Sequence, residues 1–119
     1  MASPYTPYIN GSFIPLGNTI TFTAATSAPA AVQAIQSTAN SFSYVQYRIV
    51  NAGGNLTFLG YGNTALIANT NSGIVSSTGS SLPLLPGTVE VLSLPANSYI
   101  TGVTSTGTSI VYITPGLGI

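Results

Sequence analysis

The C-terminal third of the chain is a succession of short β-branched runs, "TVEVLSL", "SYITGVTS" and "TSIVYIT", interrupted by "PAN" and "TG". Turn signals recurring about every ten residues confine a chain to short antiparallel strands, as in sandwiches and barrels. The upstream sequence follows the same pattern. In "TITFTAA", residues 19–25, Ile20, Phe22 and Ala24 alternate with polar or small residues, which marks a half-buried strand. "AAVQAIQ", residues 30–36, has helix-friendly residues, but it is short and follows Pro29, so its β surroundings favour a strand. "FSYVQYRIVNA", residues 42–52, puts Tyr44, Gln46, Arg48 and Val50 on one face and Val45, Tyr47 and Ile49 on the other. "GGN" then supplies a tight turn, and "LTFLGYG", residues 56–62, is expected to return as its hairpin partner.

"TALIA" at 64–68 reads as another short strand, "LPLLPG" at 82–87 as a stiff corner, and the last two runs as a hairpin around Thr106 and Gly107. No convincing helical pattern appears. The expected fold is all-β: an antiparallel β-sandwich of about seven to nine strands, with a jelly roll as its topology. Pro4, Pro7 and Pro15 deny residues 1–18 both helix and central-strand pairing. These residues are therefore expected to form an extended N-terminal arm, followed by a sandwich domain over 19–119.

Charge constrains function more than fold. Arg48 and Glu90 are the only charged side chains, 2% of residues against about a quarter in ordinary domains. Disorder requires low hydrophobicity with high net charge, and this chain has neither. Formal net charge is +0, so copies lack the mutual repulsion that keeps most domains apart. A surface of this kind is expected to be partly covered in a homo-oligomer.

The inventory also excludes most chemistry. Without His, Cys, Lys or Asp, neither a Ser-His-Asp nor a Cys-His arrangement can be built. Glu90 alone cannot supply the carboxylate pair of a glycosidase, and no metal ligand set exists. A non-enzymatic role without a cofactor is expected. One Arg makes no basic footprint for nucleic acid and no electrostatic grip on anionic lipid. No run reaches 18 apolar residues, "MASPYTPYINGSF" lacks the features of a secretory signal, and a spanning β-barrel would consume the whole chain.

Two lone charges within strands are expected to form a structural ion pair, Arg48 with Glu90, inside one subunit or across an interface. Tyr5 and Tyr8 in the arm are expected at an interface, where Tyr is favoured, with Phe13, Leu117 and Ile119 beside them. Tyr44, Tyr47 and Tyr112 are expected in the core or on sheet faces. The sequons at Asn10 and Asn55 are read as chance matches.

"YRIVNAGGNLTFLGYG" followed by "LPLLPGTVEVLSLPANSYITGVTSTGTSIVYITPGLG" resembles small virion structural proteins of tailed bacteriophages. The likeness covers residues 44 to 119 and lies in "PGTVEV", "LPANSYI" and a terminal "GT-x-x-x-Y-x-TPG-x-G". It implies a head decoration (cement) protein, often trimeric, whose β-sandwich clips onto the major capsid protein lattice. The implied location is the capsid surface of the virion, after synthesis in the host cytoplasm. Related proteins serve as tail or fibre adaptors, and Tyr platforms keep a carbohydrate-binding virion module as the competing reading.

Overall fold

In the computed structural model, which describes residues 13–35, 44–73 and 81–118, the alternating runs become nine strands and one helix among the described residues. Sheet I is built on β9 (Ser109–Gly118). One side of β9 pairs with β4 (Tyr44–Asn51), and β4 pairs in turn with β7 (Val89–Pro95). The other side of β9 is shared by β1 (Phe13–Pro15) and β2 (Ile20–Ala24). Sheet II has the order β3 (Val32–Gln33), β8 (Tyr99–Thr104), β5 (Thr57–Gly62), β6 (Leu82–Leu84). Every ladder within the sheets is antiparallel.

Period-two alternation sets the core. Val45, Tyr47 and Ile49 of β4 and Val111 and Ile113 of β9 face inward, against Leu59, Leu84 and Ile100 of sheet II. Burying each such side chain stabilises the fold by about 1.5–3 kcal/mol. Gln46, Arg48 and Val50 take the opposite face of β4, as the alternation requires.

Both expected hairpins are corrected. β4 and β5 belong to different sheets, as do β8 and β9. The reversals fall where the turn residues put them, but each carries the chain across the core. Both edges of β4 are already occupied, by β9 and β7, so β5 has no place beside it. Asn51, fully buried, secures the first of these arches. Its Nδ2 donates to the carbonyls of Asn55 and Leu84, each at 2.9 Å, and its Oδ1 accepts from Ser109 Oγ at 2.6 Å. One amide thus joins β4, the arch, β6 and β9.

Tyr47 plays the same part between β7 and β8. Its phenol donates to Pro95 O at 3.0 Å and accepts from Ser98 N at 3.3 Å. Burial pushes this hydroxyl above its ordinary pKa, against the opposing pull of those hydrogen bonds.

A central-strand proline needs a reason, because it cannot donate to a ladder. Pro115 lies where β9 passes from β2 to β1, with Ile113 opposite Ile20 and Gly116 opposite Pro15. Its missing N–H faces that gap, and its carbonyl still accepts from Leu16 N at 2.9 Å. The next residue must be glycine, because a Cβ on Gly116 would lie 2.1 Å from Ile14 O.

Residues 64–68, expected as a strand, instead open helix α1 (Ala65–Asn71). Thr64 caps it by accepting from Ile67 N at 3.2 Å. The helix packs on the outer face of sheet II over Gly60 and Gly62. A Cβ on Gly60 would lie 2.2 Å from Ser72 N and 2.5 Å from Ala68 O.

Candidate interaction surface

The outer face of sheet I has no covering element among the described residues. Directly opposed residues on paired strands share a face, so the register assembles this surface row by row. Tyr112 stands between Thr21 and Val50, and Val50 opposes Val89. Arg48 stands between Thr114 and Val91, while Gln46 opposes Ser93. Ile110, Tyr112, Val89 and Val91 are each 42% to 48% exposed. The result is a flat surface of aliphatic and hydroxyl side chains centred on the only cationic side chain of the chain.

Local hydrogen bonds hold it flat. Thr19 and Thr114 join hydroxyls at 2.7 Å, Thr21 Oγ1 donates to Val111 O at 2.9 Å, and Gln46 Nε2 reaches Ser93 Oγ at 3.4 Å. Half-exposed β-branched side chains on a rigid sheet lose little rotamer freedom when covered, which suits such a face to docking.

The two lone charges lie on neighbouring strands but one position out of step. Arg48 opposes Val91, and Glu90 opposes Ile49, a core residue. Arg48 therefore leaves the outer face, and Glu90 turns towards the inner side at the open rim of β7. Both are exposed, and no ion pair joins them within the chain.

Of the expected interface residues, Phe13 and Leu117 are half-buried in the β1–β9 ladder, where Gly118 opposes Phe13 and Leu117 opposes Ile14. Tyr5, Tyr8 and Ile119 lie outside the described residues. Asn55 donates to Thr108 O at 2.8 Å beneath Gly107, so the second sequon is part of an arch.

No family model, no curated protein and no solved structure matches this chain. Its own geometry must carry the functional reading.

A cavity of about 300 Å³ opens between the sheets beside β7. Ile49, Leu92 and Leu94 form one wall and Leu59, Leu82 and Ile100 the other, with Tyr61, 41% exposed, among the lining residues. Ser81 and Ser93 also line it, but the Ser93 hydroxyl is turned to Gln46 on the outer face. Among the described residues no group of metal-ligating side chains exists, and no helix is long and apolar enough to cross a membrane.

Sequence reasoning missed the buried hub at Asn51, this cavity, and the helix that covers one sheet and leaves the other bare. An Asn immediately before "AGGN" was visible as a turn residue; its role as a tie between sheets depends on strands distant in sequence.

Proposed function

We propose that this chain is a non-enzymatic structural protein of a virion: a capsid decoration (cement) protein that binds the major capsid protein lattice as a homotrimer and stabilises the phage head. The observation that carries this reading is the bare, nearly uncharged outer face of sheet I. A stapling protein needs a rigid apolar platform and no acid, base or metal. Contacts made by such a face are insensitive to ionic strength, because screening acts on charges.

The topology supports the same reading. Two antiparallel sheets, ordered β1-β9-β4-β7 with β2 also on β9, and β3-β8-β5-β6, with the chain crossing between sheets at most connections, support a jelly-roll reading, an architecture of viral capsid and lectin domains. That support is analogy at the level of fold. The arm expected over residues 1–18, whose residues 13–15 instead pair with β9 as β1, would add a second attachment through Tyr5 and Tyr8.

The competing reading, a tail or fibre adaptor that binds carbohydrate, would use Tyr61 and the cavity beside it. A wall made mainly of Leu and Ile gives a sugar few groups to orient it, which favours the capsid reading.

The test is the position of the protein in an electron-microscopy map of the virion. Regular copies over the shell are expected, with Tyr112 and Arg48 facing the capsid. Copies confined to one vertex or to the tail would replace this assignment with the adaptor reading. Glycan binding by the purified protein, abolished by Tyr61→Ala, would favour the carbohydrate module.

A further inference from the structure

The two sheets are closed unequally along one side. Sheet I ends there in β7, of seven residues, and sheet II in β6, of only three. β6 begins at Leu82, opposite Leu59, so Gly60, Tyr61 and Gly62 of β5 have no strand on that side among the described residues. The cavity opens where β6 gives out. Its floor is Ile49, Leu59, Leu94 and Ile100, none more than 5% exposed. Its rim is Leu82, Leu92, Ser81 and Tyr61, which shares the inward face of Leu59.

Water gains little in this space. A confined water needs about two to four polar partners, and every side chain of the floor is aliphatic. An apolar guest therefore displaces it favourably. Size and shape then narrow the guest. A dry cavity of about 150 Å³ admits benzene, so one twice as large takes about ten to twelve carbons; this one measures about 300 Å³. Along each wall the lining covers only two same-side positions, Leu92 and Leu94 on β7 and Leu59 and Tyr61 on β5. Such positions are about 7 Å apart. A fused pair of rings fits that length, and an extended chain with as many carbons overruns it.

The rim can satisfy one polar group but no negative charge. Asn51 N–H donates to Thr88 O, while Ala52 N–H donates to Ile110 O on the other side of β4. Antiparallel bonding alternates, so Tyr47 and Val45 exchange bonds with Leu92 and Leu94. The N–H and C=O of Ser93, between them, point away from β4 along the rim. No charged side chain lines the cavity. Arg48 leaves the opposite face of sheet I, and Glu90 stands one inward position before Leu92. A carboxylate would meet no cation here and an anion beside the entrance.

We propose that the cavity is a binding site for a neutral bicyclic aromatic compound, held between the sheets with its one hydroxyl at the Ser93 rim. Tyr61 adds an aromatic partner for its rings. This inference rests on the cavity alone and does not depend on the capsid reading.

The probe is 2-naphthol, titrated into the full-length chain while methyl resonances are followed by NMR. Saturable binding with Kd below about 1 mM is expected. The methyls of Ile49, Leu59, Leu92 and Leu94 should shift, while those of Val50 and Val89 on the bare face and Ala68 in α1 stay in place. 2-Naphthoate should bind at least fivefold more weakly at neutral pH, and 1-octanol, of similar hydrophobicity, more weakly than the bicyclic alcohol. Leu92→Trp fills the cavity from β7 and should weaken binding at least tenfold. Leu82→Trp does so from β6 if the first variant does not fold. Absence of saturation, or shifts centred on Val50 and Val89, would overturn the proposal. So would undiminished binding in a folded Trp variant, naphthoate binding within fivefold of naphthol, or octanol binding as tightly, whatever the virion map shows.

Discussion

The outer faces of the two sheets are made from the same few residue types and are finished in opposite ways. On sheet II, Gly60 and Gly62 cut a trough in β5, and α1 lies in it, burying Ala68. On sheet I the corresponding surface keeps its side chains, Tyr112, Val50 and Val89 among them, and nothing described lies over it. Glycine on a strand weakens it unless something approaches closely, and here the helix does. The comparison teaches that a face completes itself within the chain where its side chains have been removed, and is left for a partner where they have been kept.

The most damaging way to break this contrast is to fill the trough. Gly60→Val sets a branched side chain where even one Cβ lies 2.2 Å from Ser72 N. Overpacking against backbone is expected to cost about 2–3 kcal/mol in urea unfolding. A loss below about 0.5 kcal/mol would mean that α1 is not seated on β5. Next in size is Thr64→Ala, which removes the hydroxyl that accepts from Ile67 N. About 1 kcal/mol of stability should go with it, with the amides of α1 losing hydrogen-exchange protection before those of β5.

How much of this could be read from the sequence follows from what is local. The alternation in residues 44–51 is local, and it assigned Val45, Tyr47 and Ile49 to one face and Arg48 to the other. "TPG" at 114–116 is local too, although its purpose appears only with β1 across from Gly116. The destination of a turn is not local. "AGGN" and "STGT" announce reversals, but whether the returning strand stays in its sheet depends on which edges other strands have taken. The helix was missed because "TALIA" is too short to show a period, and its stability comes from a glycine trough on another element. The bare face was hidden in the same way: Thr21, Val50, Val89 and Tyr112 lie on four strands, and only the register brings them together.

On the bare face, stability and assembly should separate. Tyr112→Ala removes a half-exposed ring whose cross-strand neighbours are Thr21 and Val50, so its cost in the isolated chain should stay within about 1 kcal/mol. Attachment to particles lacking the protein should fall at least tenfold, since a central aromatic dominates an interface far beyond its share of area. If stability drops by several kcal/mol while attachment holds, the face is structural after all and the contrast between the sheets fails.

The smallest expected effect concerns the two charges. Arg48→Ala and Glu90→Ala should each change the stability of the chain by no more than about 0.5 kcal/mol, and the double variant by their sum. The reason is geometric. Adjacent residues along a paired ladder point to opposite faces, and Arg48 opposite Val91 is one step from Ile49 opposite Glu90. In the isolated chain, a coupling above about 1 kcal/mol would place the two side chains together and contradict that register. Coupling that appears only when copies assemble would have a different meaning. Arg48 on the open face of one copy would then meet Glu90 at the rim of the next, and the chain's only two charges would mark the two sides of one repeated contact.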